Sequence, residues 1–530
     1  MSEKPEMEKM LFDIQRELSE SRRKYGVEPM YRLQIFPCTF SMGTADRAYT
    51  TCFVDRTEYN DNTEPVDVSY MPNIYDTRRA TKYDPNTRIK EDYSYLLKPL
   101  KAGMLLAEVR GKQLALGAGH HQITVSMVLE SHWVNMPRQD FNEITSICVP
   151  GANDNNAKAE LMRSFVIPER LMAPNSSSNT SQRTCNIPVA FISDHNVWAL
   201  LDFSRLVQFR LRSSDRLWTI QDFTPASKGR WYDLWSYFPG GPDWITEHDN
   251  AVLALQQWKR AVTSSTKHGN KSILSYMTEA SLSCAFNGFG KHTVYNFLFL
   301  VAVFPGAPAS YVCATPAVWE RFSSQIACYM AHFRSDAFRK QCCGKANSLN
   351  AFDYNYTAGS NYYSSEVLVF RKHTVRVPKE LYNTYIRDGL LDDAHTMGDN
   401  YESSPHQLTN LSFKKLNVIM RGKFFTIIRA QAPDNRAWRD GEMKNFEDIS
   451  TLGKRTTVGP AEFREVLLNK ADYHVVSSIQ GKGGCPKKVC LLCTHPKMYL
   501  MCSLLRCGPG IMVGLRAFVA LELTGLLDSN

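Results

Sequence analysis

Residues 121–134 read HQITVSMVLESHWV. Ile123, Val125 and Met127 alternate with Gln122, Thr124 and Ser126, and period-two alternation is the mark of a half-buried strand. Outward from this stretch the texture stays the same. YRLQIF (31–36), AYTTCFV (48–54), VDVSYM (66–71) and MLLAEVRG (104–111) are short, rich in Val, Thr and aromatics, and broken by Gly, Pro, Asn and Asp. Farther along, PVAFISD (188–194) and WALLDFSRLVQFRLRS (198–213) continue it. SILSYM (272–277), SLSCAF (281–286) and HTVYNFLFLVAVF (292–304) read as a second β set. A third set is EVLVFRKHTVRV (366–377) with LNVIMRGKFFTIIRAQ (416–431), the latter a strand pair turning at Arg421-Gly422.

Helices are the minority in this reading. Residues 3–24 carry Met7, Met10, Leu11, Ile14 and Leu18 at three- and four-residue steps, followed by Gly26 and Pro29 as a stop. Asp249–Val262, Pro316–Phe338 and residues 157–166 also read as helical. The expected fold is mainly β, with a β-sandwich or jelly-roll-like core, a projecting N-terminal helix and a few additional helices. The expected organisation is a helical arm (1–28), a β-rich region (29–172), an exposed loop APNSSSNTSQRT centred on 173–184, a β-rich body with helical insertions (185–480) and a Cys-rich segment (481–530).

Composition bounds the class. Over 530 residues, 43% hydrophobic and 22% charged content are those of a folded chain, and 24 tyrosines favour strands and protein contacts. The net charge of +9 is spread over short runs such as Arg22-Arg23-Lys24 and Lys487-Lys488 rather than gathered in an arm. The first residues are charged and lack the apolar core of a secretory signal. The longest apolar runs, Val294–Phe304 and Ile511–Leu527, are respectively too short for a bilayer and interrupted by Arg516 and Glu522. No membrane partner is expected, and synthesis in the host cytoplasm or nucleus is.

The densest chemistry lies at residues 481–507, GKGGCPKKVCLLCTHPKMYLMCSLLRC, which hold five of the 14 cysteines. Cys485, Cys490, Cys493, Cys502 and Cys507, with His495 between them, admit zinc ligation, disulfide cross-links or buried thiols. Leu491 and Leu492 fill the CxxC where zinc loops carry small or polar turn residues. Cross-linking is carried forward, and no metal ligand is assigned. The loop Gly288-Phe289-Gly290-Lys291-His292-Thr293 fails as a phosphate loop, with Ala285 where a Gly is needed and His292 directly after the lysine. His120-His121 heads a strand, where adjacent side chains face opposite ways, so one is expected in solvent. Cys342-Cys343 reads as two unpaired thiols. No catalytic residue and no cofactor are expected, and the chain reads as a non-enzyme.

The string Gly481-Lys482-Gly483-Gly484-Cys485-Pro486 resembles the KGGGCP-type segment of insect-virus polyhedrins, the matrix proteins of viral occlusion bodies. The helix Glu3–Lys24 resembles the reaching arm of such proteins. The resemblance covers about 5% of the chain. It implies a self-assembling viral structural protein that partners itself and virions and ends in an occlusion body. The alternative is a capsid or nucleocapsid protein that encloses or binds the genome.

Overall fold

The computed structural model describes residues 3–36, 51–60, 94–97, 100–127, 131–150, 164–171, 184–203, 205–225, 229–238, 240–344, 350–352, 355–370 and 374–391, with 63, 154–156, 159 and 372, and five short pieces from 402 to 444.

The alternating stretch that opens the sequence reading divides into two strands in two different sheets, β6 (His121–Ser126) and β7 (Ser131–Pro137). The first sheet runs β3 (Gly103–Met104), β1 (Met30–Ile35), β11 (Val189–Ile192), β12 (Asn196–Asp202), β7, antiparallel throughout. The second runs β2 (Thr51–Glu58), β13 (Gln208–Ser214), β6, β5 (Gln113–Ala118), β4 (Leu106–Arg110). Only its β13–β2 pair is parallel, with Phe209 opposite Cys52.

Both faces of the first sheet are covered, which explains why β12 reads NVWALLD rather than alternating apolar with polar. Trp198 and Leu200 point into the core shared with the second sheet. Val197, Ala199 and Leu201 point the other way, onto Phe141 and Ile144 of α2 (Arg138–Ser146) and onto the small sheet β8–β9–β10 (Cys148–Val149, Ser164–Val166, Thr184–Cys185). The outer face of the second sheet is closed by Trp218, Phe223 and the tryptophans of α3 (Trp231–Trp235).

The first helix, α1 (Lys4–Tyr25), does not project. Met7, Met10, Leu11 and Ile14 are buried in the core between the two sheets, each such burial contributing about 1.5–3 kcal/mol. The next turn's Phe12 packs against the other half of the molecule. The apolar stripe seen in the sequence is therefore spent within the chain itself, which corrects the expected reaching arm.

The rest is helical: α4 (His248–Thr263), α5 (Thr266–Gly269), α6 (Ile273–Thr278), α7 (Lys291–Leu300), α8 (Ala309–Ala314), α9 (Pro316–His332), α10 (Asp336–Cys342), α11 (Tyr356–Ser365) and α12 (Lys379–Arg387). Three-stranded sheets formed by β14 (Thr374–Pro378), β15 (Glu402–Ser403) and β16 (Ser412–Asn417), and by β17 (Ile419–Arg421), β18 (Phe424–Thr426) and β19 (Met443–Lys444), lie beside them. Among the described residues more lie in helices than in strands, although the strands are more numerous and short, so the mainly-β expectation is overturned. The second β set is the error. SILSYM forms α6 and HTVYNFLFL forms α7, the latter buried on all sides from His292 to Phe299. The helix at 249–262 occurs where the pattern put it, the one expected over 316–338 ends at His332 with α10 starting at Asp336, and β17 pairs antiparallel with β18 as expected.

Candidate active site

Helix α1 begins with a capping box. The Glu3 backbone N–H donates to Glu6 Oε2 at 2.9 Å, and Pro5 fits the first turn, where no backbone donor is needed. The Glu3 side chain then leaves its own helix. It reaches the N-terminus of α7, where the backbone N–H groups of His292 and Thr293 donate to its two oxygens at 3.1 and 2.9 Å. These are groups that a helix start leaves unsatisfied and that favour a negative charge. His292 Nδ1 lies 2.9 Å from the same carboxylate, and its Nε2 meets the Tyr362 hydroxyl of α11. Glu3 is 4% exposed. Burial alone would raise its pKa, but the His292 charge and these hydrogen bonds hold it at about 2. Burial likewise works against charge on His292, and the Glu3 carboxylate raises its pKa in spite of it.

The approach depends on glycine. A Cβ on Gly290 would stand 2.3 Å from Glu3 Cδ. The two-residue turn joining β4 to β5 comes in from the other side. Gly111 sits at φ +60°, as the first position of such a turn requires, and packs on Asn287. The second turn residue is Lys112. Burial lowers its pKa, with the Glu3 charge opposing. Glu6, half-buried, is raised to about 7 by burial, with His292 lowering and Glu3 raising it. Exposed Lys291 heads α7 beside them.

Beneath this cluster a second charge network fixes the segments. Lys4 is 1% exposed, with Nζ 2.6 Å from Asp243 and 2.7 Å from Glu8. Arg334, between α9 and α10, donates to Glu8 at 2.8 and 2.9 Å and to Glu108 of β4 at 2.8 Å. Asp243 also accepts from the Gly111 backbone N–H at 2.7 Å. Burial opposes ionisation of Asp243, but Lys4 and these bonds depress its pKa strongly.

The cluster therefore joins an acid raised to about 7, an amine eased toward its neutral form, and a buried imidazole–carboxylate pair whose charge acts on both. Such perturbed groups converging at one place are the usual makings of acid–base chemistry.

Motif reading missed these residues because Glu3, Lys112 and His292 come from separate segments. One signal was visible: the glycines of Gly288-Phe289-Gly290 do serve close approach, though to a carboxylate rather than a phosphate. The five expected cross-link cysteines, Cys485 to Cys507, lie outside the described residues. Cys342 and Cys343 are buried and are not bridged to each other. His120 and His121 are both buried, contrary to expectation. Their Nδ1 atoms lie 2.9 Å from the Ser214 carbonyl and the Ser213 hydroxyl. No group of possible metal ligands occurs among the described residues, and none of their helices is long and apolar enough to cross a membrane.

No protein family and no curated protein matches the chain. Among solved structures it is similar to a Lactococcus lactis Fpg (MutM) complex with DNA containing an oxidised pyrimidine. That overlap has 11% identity and a TM-score of 0.28, and covers 48% of this chain and 68% of the other. A Lactococcus lactis Fpg complex with abasic-site DNA gives 11%, 0.30, 52% and 73%. A complex of inhibited LlFpg with N7-benzyl-Fapy-dG DNA gives 10%, 0.35, 70% and 89%. Overlaps this partial transfer neither fold nor activity. The expectation of a non-enzymatic viral structural protein, as matrix or as capsid, is corrected on the chain's own geometry: a cluster of perturbed acid–base groups stands where no catalytic residue was expected, and none of the structures above is a viral matrix or capsid protein.

Proposed function

We propose that the chain is an enzyme that processes nucleic acid at the Glu3, Glu6, Lys112, His292 cluster. The observation that carries this reading is the convergence of those four groups from three segments, with Glu6 and Lys112 half-buried and under the influence of a buried Glu3–His292 pair. Glu6 is the proton donor, since a carboxyl raised to about 7 remains about half protonated at neutral pH. Lys112 is the amine nucleophile, suited to a sugar aldehyde. Its nitrogen bonds to the aldehyde carbon as the carbonyl oxygen takes the Glu6 proton, a nitrogen proton returns to the Glu6 carboxylate, and Glu6 passes it to the hydroxyl, which leaves as water to give a protonated imine. Lys291 and the net charge of +9 favour a polyanion. DNA is the first substrate to test because the similar structures hold it.

The test is borohydride trapping on duplexes carrying an abasic site or an oxidised pyrimidine, with strand scission followed alongside. A covalent adduct that disappears in Lys112→Met and slows in Glu6→Gln is expected. No adduct and no scission on either duplex would sink the reading. An adduct that survives Lys112→Met moves the amine elsewhere and ends the role given to Lys112.

A further inference from the structure

The opposite end of α7, about 15 Å along the helix axis from Glu3, borders a cavity of about 290 Å³. Its walls are apolar: Phe304 from the turn after α7, Val318 of α9 and Leu390 after α12, all buried. Its rim is cationic. Arg321 Nε donates to the Val301 carbonyl at 3.3 Å and Nη1 to Asp388 at 3.3 Å. Nη2 has no protein acceptor among the described residues. Arg387, exposed, donates to the other oxygen of Asp388 at 2.9 Å. Two guanidinium groups thus share one carboxylate, leaving a net positive charge and an unused donor edge at the mouth of an apolar hollow. Ala302, also in the wall, holds φ +56°, where glycine is the ordinary residue. A methyl is kept there at a conformational cost.

We propose that this cavity is a binding site for a small aromatic carboxylate, with its ring between Phe304, Val318 and Leu390 and its carboxylate on Arg321 Nη2. The volume lies at the small end of ligand pockets and fits one ring with its acid group. Guanidinium is matched to carboxylate by its paired donors, and Arg387 adds charge without closing the mouth. The site is separate from the Glu3 cluster and does not depend on the enzymatic reading.

The probes are 4-fluorobenzoate and its neutral analogue 4-fluorobenzamide, followed by fluorine NMR on the full chain. The benzoate is expected to bind with a dissociation constant on the order of 0.1–1 mM. The amide should bind about tenfold or more weakly, for want of the charged hydrogen bond. Arg321→Gln should reduce the benzoate to the amide's affinity while leaving the amide unchanged, and Val318→Trp, which fills the cavity, should abolish both. Equal binding of acid and amide in the wild-type protein overturns the proposal without any variant. So does benzoate binding that survives Val318→Trp, or no benzoate binding up to 10 times the expected constant.

Discussion

A single hydrogen atom at position 290 decides whether Glu3 can lie where it does. In Gly290→Ala the new Cβ would meet the Glu3 carboxyl at 2.3–2.4 Å, and the carboxylate would have to leave. Overpacking of this kind costs about 1–3 kcal/mol. The variant should melt at lower urea concentration, and the His292 pKa, raised by the Glu3 charge, should fall in an NMR titration. An unmoved His292 titration would show that the contact does not hold the imidazole. Glu3 and Glu6 also pull stability in opposite directions with pH. The folded Glu3 pKa of about 2 lies below its ordinary 4.5, so its contribution is present above 4.5 and is lost as pH falls toward 2. The folded Glu6 pKa of about 7 lies above 4.5, so its contribution is whole below 4.5 and fades as pH rises to 7. Glutamine can still accept the Glu3 N–H in the capping box. Glu6→Gln should therefore flatten the loss of stability between pH 4.5 and 7 in urea melts, and an unchanged slope would remove Glu6 as its source.

Helix α7 shows what the sequence could and could not reveal at the scale of an element. It ends in a Schellman-type turn, with the Val303 N–H donating to the Leu298 carbonyl at 2.9 Å and Ala302 in the left-handed region. Ala302→Gly should raise stability by about 0.5–1 kcal/mol, read as a shifted urea midpoint, and a lowered midpoint would mean the methyl's packing outweighs its strain. The same helix was misread as a strand because every residue from His292 to Phe299 is buried. An apolar run with no polar face has no period to detect, so helix and buried strand look alike. Helices α1, α4 and α9 each keep a polar face, and their three- and four-residue steps were legible. The strands of the two large sheets were legible from β-branched and aromatic content even where burial on both faces erased alternation, as in β12. The candidate site was not legible, since no local pattern tells Glu3 to leave its own helix for the start of another. Its four side chains become neighbours only once Lys112 is carried in by a hairpin and His292 by α7.

At the scale of the whole molecule, α1 and the charges on it tie the β half to the helical half. Arg334 is the narrowest point of that tie, gripping Glu8 of α1 with two donors and Glu108 of β4 with one. Burial opposes ionisation of both acids. It prevails at Glu108, whose pKa is raised, while Lys4 and Arg334 together depress that of Glu8. Replacing the whole network with apolar groups need not destabilise a protein, but removing one partner strands the others. Arg334→Met leaves buried Glu8 with Lys4 as its one remaining cation and half-buried Glu108 without the Arg334 guanidinium, at a cost of about 3–5 kcal/mol. Because the lost bonds cross between the halves, the damage should fall on their coupling rather than on either core. Calorimetry of the variant is expected to split one unfolding transition into two, with the shared core of the two sheets and the α4–α12 core melting separately. Under the proposed function, the strand scission followed in the trapping assay should also fall by more than stability at the assay temperature accounts for. A variant that melts in one transition with full scission would show that the halves are held by apolar packing alone and that Arg334 has no part in placing the site.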